Sequence, residues 1–429
     1  MRSISGASEF MDFYVQDFGA VGDGKAINTA AIQKTIDTCF VEGGGRVIIS
    51  DGTFLTGTII LKSNIDLHIE ESGVILGSPN CGKYDENARF DIRPYPYNVI
   101  LSGDIASYGD YPDFPKKHVN TQNLPRNRGC CLIYAEESDN ISITGKGKID
   151  ANGTAFTELA PKEAHHYTKY RRIHAPTPPR VTFFAGCKNV CVEDITLTNG
   201  PAGWSFWIHD CDDVNFERVT IDCDLNYPNN DGIHINCSRN VTVKNCKISC
   251  SDDCIVVRAN SRSLKENKTC ENVSVTNCTL TSPTSAIRIA FVCDGTIRNC
   301  SFSNLSMIDC NIGVLLEIPD KRLIQSDYGR EATFVENLRF SNIIMDNISR
   351  AVKINLFDGN DTAISSIRYL LFEKITAKCK NIMLINGTPS VPVEDIRFTN
   401  CTFCSSSPDP IKITYAKNIA FDGVELSAL

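Results

Sequence analysis

No apolar run in the chain approaches the roughly 18–20 residues that a membrane-spanning helix needs, so no stretch reads as one and no membrane partner is expected. The opening decapeptide, MRSISGASEF, has no apolar h-region and is not a secretory signal. Residues 1–10 read instead as a leader joined ahead of Met11, and the expected address is the cytoplasm. A secreted chain whose signal was replaced by a tag is the alternative. Basic residues are not in excess either: 43 Lys and Arg stand against 51 Asp and Glu, a formal net charge of −8. That balance argues against nucleic acid as a partner, because phosphate backbones demand a basic surface, yet it leaves room for a local basic pocket and an acidic substrate. No C-x2-C pair is matched by a second at zinc spacing, and no metal or cofactor is expected. Tight Asn-Gly and Asp-Gly hairpin signals are scarce, which disfavours a β-sandwich of regular hairpins.

Cysteine is plentiful, at 20 residues, but Cys237, Cys246, Cys254, Cys278, Cys300 and Cys401 fall among alternating apolar residues. A free thiol there packs as a small hydrophobe, and stacked thiols in a reducing compartment explain the pattern better than bridges. The sequons at Asn140, Asn240, Asn272 and Asn347 would invite dense glycosylation in a eukaryotic secreted chain.

What the sequence repeats is a phrase of alternating apolar residues opened by Asn or Asp. It recurs as NVCVEDITL at Asn189, DVNFERVTI at Asp213, NVTVKNCKI at Asn240, NVSVTNCTL at Asn272, NLRFSNIIM at Asn337, a version around Asp395 and NIAFDGVEL at Asn418. Spacings of 23–32 residues signal a solenoid. The period of two within each unit, as in Val241, Val243 and Ile248, makes the repeat a set of short strands. Asn and Asp tolerate the left-handed backbone of a sharp corner and can hydrogen-bond along a stack. The expected fold is therefore all-β, a right-handed parallel β-helix over residues 11–429 as a single catalytic domain. Near the start, NTAAIQKTIDTCF places Ile32, Ile36, Cys39 and Phe40 on one helical face with Asn28 or Thr29 as N-cap. Such a helix would shield the open edge of the first coil. Two stretches break the rhythm, near 83–128 (with Tyr84, Phe90, Tyr95, Tyr97, Tyr108, Tyr111 and Phe114) and near 153–180. Long irregular segments in a compact protein tend to be functional, and both are expected to wall a site.

Within the repeats, Asp231 precedes the pair Asp252-Asp253 by 21 residues, about one unit. One turn of the solenoid would stack the lone acid above the pair, since coils of a parallel sheet lie about 4.8 Å apart. Crowded carboxylates repel, so at least one keeps its proton near neutral pH. Inverting hydrolysis of a glycosidic bond needs one protonated and one ionised carboxyl, about 6.5–9.5 Å apart, and no metal. Alone, Asp-Gly would be a corner and Asp-Asp a solvated turn. A calcium site built from the same acids is a third reading.

At DFGAVGDGKAINTAAIQKTID, ISITGKGKIDANG, NNDG and SDDC the chain resembles glycoside hydrolase family 28, the polygalacturonase family, in its bacterial branch. The resemblance runs over nearly the whole chain from Asp12. It implies a right-handed parallel β-helix, cleavage of pectic chains with inversion, Asp252 as general acid, and Asp231 and Asp253 holding and activating water. The family's Asn-x-Asp-Gly falls on Asn229, Asn230, Asp231 and Gly232, which makes Asn229 a substrate-binding candidate. Two family motifs are missing. Where Gly-His-Gly should stand the chain has PTSAIRIA, with Ser285 or a neighbour in the histidine's place. Where Arg-x-Lys should stand it has IGVLLEI, with Leu315 and Glu317 at the basic positions.

Further candidates lie near the acids. His234 follows Asp231 by three residues, and is either structural or substrate-facing. Arg258 and Arg288 could replace the missing grip on a uronate, since guanidinium binds carboxylate bidentately; ladder roles are the alternative. Trp204 and Trp207 could offer sugar platforms or simply pack. His165, His166, Arg171 and Arg172 are candidate pocket-wall residues. Together these features predict an inverting glycoside hydrolase acting on pectin-type, galacturonate-containing oligosaccharides, with exo action because the long loops would block one end of the cleft. The rivals are a glycosidase of the same fold for a neutral sugar such as rhamnose or galactose, and a non-catalytic carbohydrate-binding solenoid.

Overall fold

The structure, a computed structural model, describes residues 11–79, 131–159, 169–172, 180–200, 203–261, 264, 266–291, 295–318, 333–357 and 364–429. The first irregular stretch, near 83–128, lies outside the described residues, as do His165 and His166 and the side chains of Arg171 and Arg172.

The chain winds as a right-handed parallel β-helix, with 32 strands of the described residues joined in one continuous hydrogen-bonded sheet. Each coil contributes strands to three walls. One wall stacks Arg180–Ala185, Trp204–His209, Ile233–Asn236, Ile255–Arg258, Ser285–Ile289 and Ile312–Ile318, all parallel. The phrases found in the sequence form the second wall, with Val190, Val214, Val241 and Val273 in register. The third holds the short strands Thr196–Thr198, Thr220–Asp222, Lys247–Ser249 and Thr279–Thr281.

Period-two alternation sends every second side chain inward, and in-register pairing turns these into columns along the axis. The second wall's column runs Phe216, Val243, Val275, Phe302, Phe340, Phe372 and Phe398, all buried. Phe302, Phe340, Phe372 and Phe398 stack face to face with centroids 4.9, 4.7 and 4.8 Å apart, the spacing of the coils themselves. No disulfide is formed among the described cysteines, and almost all of them are buried.

Every phrase-opening Asn or Asp has the left-handed backbone expected of a corner: Asn189, Asp213, Asn240, Asn272, Asn337, Asp395 and Asn418 lie at φ between 52° and 58°. Their amides link coil to coil, as in Asn240 to Asp213 at 3.1 Å and Asn272 to Asn240 at 3.0 Å.

The helix spans Thr29–Val41 and buries Ile32, Ile36 and Cys39 against the first coils. Phe40 departs from expectation. It is 43% exposed, on the flank of the apolar stripe, with Lys62 Nζ 5.2 Å from its ring. Asn28 occupies the N-cap position but makes no capping bond; its side chain instead accepts from the Val21 amide and donates to the Ala26 carbonyl, closing the preceding turn. In the second irregular stretch, Thr157–Leu159 pairs antiparallel with Tyr170–Arg172.

Candidate active site

The acids sit where the first wall begins its strands. Ile233 pairs with Ile255 and Ile255 with Ile287, so Asp231, Asp253 and Ser285, each two residues earlier, fall on three successive coils. Backbone bonds clamp these starts together: the Gly232 amide donates to the Asp253 carbonyl and the Asp252 amide to the Asn230 carbonyl, both at 3.0 Å. Gly232 is required by this closeness, because a Cβ there would stand 2.3 Å from the Cys254 carbonyl oxygen. The Asp-Gly of the motif is thus a contact between coils and not a corner.

The three acids have different surroundings. Asp231 is buried; its Oδ2 lies 3.2 Å from His234 Nδ1, while its Oδ1 has no partner among the described residues. Burial, then repulsion from Asp252 and Asp253, pushes its carboxyl well above the usual range, against a weaker pull from Arg180. Asp253 is also buried, and accepts from Ser285 Oγ at one oxygen and from Arg288 Nη1 at the other, 3.4 Å away. Asp252 is only partly buried. It accepts from the Asp253 amide at 2.9 Å and from Thr284 Oγ1 at 3.2 Å. Burial and the neighbouring Asp253 push its carboxyl up to about 7, with Arg288 opposing. Thus one acid reaches solvent with its proton retained near neutrality, and a second is held by a hydroxyl and a guanidinium.

The other sequence candidates fall as follows. Asn229 is in the left-handed conformation at φ 51° beside the acids and is partly exposed. Its neighbour Asn230 is buried and braces the turn, donating to the Gly203 carbonyl at 2.7 Å. Arg258 is buried and Arg288 half-buried, and both guanidinium groups lie over Phe291, 5.1 and 4.9 Å from its centroid. Burial works against the charge of Arg288, but Asp253, Glu317, Asp252 and Asp231 outweigh it and raise its pKa.

The tryptophans are not open platforms. Arg180 Cζ lies 3.3 Å from the Trp204 centroid and the His234 ring 3.6 Å from it, nearly parallel. Two planar groups that close to one centroid must take opposite faces, so neither face is left for a sugar. Trp207 is 3% exposed and stacks on Phe183 at 4.0 Å. Packing and platform roles share one residue type, so both were open from the sequence; in the fold, successive coils supply ring on ring, and packing is the outcome. His234 is likewise buried within the stack, bonded to Asp231, and does not face an open surface.

At the family's basic positions, Leu315 is buried beside Arg288 on the neighbouring coil. Glu317 pairs with Lys353 Nζ at 2.5 Å and accepts from Asn355 at 3.3 Å. Burial favours the neutral form of Glu317, yet Lys353 and Arg288 hold its pKa below the usual value. Sequence reading missed Arg180, Phe291, Thr284 and Lys353. Lys353 stands 38 residues beyond Leu315 but is its register partner on the next coil, a relation visible only once the coil between is counted.

Residues 118–428 match the family described as glycosyl hydrolases family 28. Among curated proteins, an exo-poly-α-D-galacturonosidase of Dickeya chrysanthemi is 26% identical over 255 residues, 56% of this chain and 41% of that protein. An endo-polygalacturonase of Pectobacterium carotovorum subsp. carotovorum is 24% identical over 400 residues, 90% of this chain and 86% of that protein. The chain thus spans well under half of the Dickeya relative. Among solved structures, a hyperthermoactive exopolygalacturonase from Thermotoga maritima superposes with a TM-score of 0.71 at 20% identity, covering 97% of this chain and 92% of that one, and so shares the fold.

Proposed function

The chain belongs to glycosyl hydrolases family 28, and from that premise we propose that it hydrolyses pectin-type, galacturonate-containing oligosaccharides with inversion, acting from a chain end. The observation that carries this is the meeting of Asp231 with Asp252-Asp253 across adjacent coils, with the partly exposed Asp252 keeping its proton up to about 7. Asp252 donates that proton to the departing glycosidic oxygen. Asp231 and Asp253 hold a water on the opposite side; its oxygen bonds to the anomeric carbon and its proton passes to a carboxylate. No metal or cofactor takes part.

Arg288 and Arg258, gathered over Phe291, are the groups proposed to receive a substrate carboxylate. End-directed cleavage is supported by an asymmetry along the first wall. Its outward column is buried at Phe183 and Trp207 and on the acids' own coils at His234 and Val256; beyond them partly exposed Arg288, Lys353 and Leu384 are interrupted by buried Leu315. A cytoplasmic address for short, imported chains belongs to the same proposal and is supported by the buried thiols of the described residues, which form no disulfide.

A second reading, a neutral sugar at the cleaved position, is favoured by one observation: Leu315 is apolar and the Lys353 charge is already occupied by Glu317. Incubating the protein with pectic oligosaccharides and with neutral aryl glycosides decides between them. Release from the uronate substrates supports the first reading, and release only from neutral ones supports the second. Asp252→Asn should abolish either release by a factor of about 10²–10⁴. Sugar binding without turnover in the unmodified protein would identify a binding solenoid and overturn both.

A further inference from the structure

We propose that His234 is a positioning residue for hydrolysis: clamped flat against Trp204, its imidazole grips Asp231 Oδ2 and leaves Oδ1 to take the proton of the attacking water. This rests on the hydrolase reading given above, in which Asp231 works on water.

The geometry is layered. Arg180 covers one face of Trp204 at 3.3 Å and also reaches Trp207 at 4.4 Å, and His234 covers the other face of Trp204 at 3.6 Å and 16°. The indole is therefore pinned, and the imidazole plane with it. In that plane Nδ1 meets Asp231 Oδ2 at 3.2 Å. Both residues are buried, so water cannot replace the bond. A carboxylate held at one oxygen by a fixed ring cannot turn, and its remaining oxygen, Oδ1, is buried with no partner among the described residues. An orphaned buried carboxylate oxygen is costly, and it persists here beside the two other acids.

The charged groups around His234 favour a neutral ring. Arg258, Arg180 and Arg288 all act on it, with His209 beside them and the Asp231 carboxyl bonded to it. Burial first, then these cations, hold its pKa well below the usual value. A neutral imidazole carries one N–H; placed on Nδ1 it donates to Asp231 Oδ2 and favours the ionised carboxylate, against the burial and acid neighbours that raise its pKa. When the attacking water transfers its proton to Oδ1, the bond at Oδ2 need not change partners. The water O–H bond breaks, its oxygen bonds to the anomeric carbon, and the leaving oxygen takes its proton from Asp252.

A merely structural histidine would stack on Trp204 and do no more, so the test separates stacking from donation. His234→Phe keeps a ring on Trp204; His234→Asn loses the ring but can set an N–H at the place of Nδ1. On a pectic oligosaccharide that the unmodified protein cleaves, His234→Phe is expected to lower kcat about 100-fold with KM within about twofold, and to move the acid limb of kcat/KM upward by about one pH unit. His234→Asn is expected to recover at least about tenfold of that loss. Unchanged kcat in His234→Phe, a loss carried by KM alone, or no recovery in His234→Asn overturns the proposal. A protein that cleaves nothing refutes the hydrolase reading separately, and the ring is then read directly. In ¹⁵N NMR, His234 should show the Nδ1–H tautomer at pH 8 and no imidazolium between pH 5 and 9. The Nε2–H tautomer or an imidazolium in that window overturns the assignment.

Discussion

Asp252 is the member of the acid trio that combines access to solvent with a carboxyl pushed up to about 7. Two consequences follow at this residue. As general acid it must be protonated, so kcat/KM should fall about tenfold per pH unit once the pH passes about 7; a rate that stays flat to pH 9 would remove Asp252 from that role. The second concerns stability. The folded carboxyl keeps a proton that the unfolded one releases near its ordinary value of 3.8. Stability is therefore lost as pH rises from about 4 towards 7, and the penalty persists above that. Asp252→Asn removes it, and should stabilise the protein by roughly 1–3 kcal/mol at pH 8 while leaving it unchanged at pH 3. Denaturant midpoints at the two pH values check this. A loss of activity joined to a gain of stability is what a site built on crowded carboxylates entails.

At the scale of the strand and the corner, the protein is held by columns, and a column can be cut. Phe340 lies between Phe302 and Phe372 at 4.9 and 4.7 Å. Phe340→Ala leaves a cavity with aromatic walls above and below, and should cost about 3–5 kcal/mol in equilibrium unfolding. Gly232→Ala meets the Cys254 carbonyl at 2.3 Å. It should destabilise by about 1–3 kcal/mol and depress turnover more than a distant substitution of equal cost, because the displaced backbone carries Asp231.

Much of this scale was legible in the sequence. Asn189, Asp213, Asn240, Asn272 and their fellows announced left-handed corners because few other residues tolerate them, and the structure has each at φ above 50°. The 21-residue step from Asp231 to Asp252 announced adjacent coils because it lies close to the shorter spacings of the repeated phrases. What stayed hidden was which way side chains turn once coils are stacked. Trp204 and Trp207 read as possible platforms and are a packed stack; Phe40 read as core and lies on the flank. Arg180 and Lys353 were invisible because their contacts cross coils whose intervening loops have irregular lengths.

For the whole molecule, stacking makes neighbouring coils the units of stability, and coils differ in how well their core columns are covered. The first coils lie under the helix Thr29–Val41, whereas the coil of Ala416–Asp422 and Glu425–Ala428 has core-column positions exposed, Phe421 at 45% and Leu426 at 55%. Amide hydrogen exchange should therefore be faster in Ala416–Asp422 than in the mid-solenoid strand Arg239–Lys244 by at least about 100-fold; equal protection would mean that the array opens as one body. The coils that carry Asp231, Asp252 and Asp253 lie between these, where neighbours on both sides can hold three carboxylates against their mutual repulsion.

That arrangement makes the stereochemical outcome the sharpest test. Following cleavage of a pectic oligosaccharide by ¹H NMR from the first seconds, the newly formed reducing end should appear with the anomeric configuration opposite to that of the bond cut, and Asp252→Asn should form none. A product that first appears with the configuration retained, or an unsaturated sugar in place of a hydrolysed one, would contradict water attack assisted by acids from two neighbouring coils.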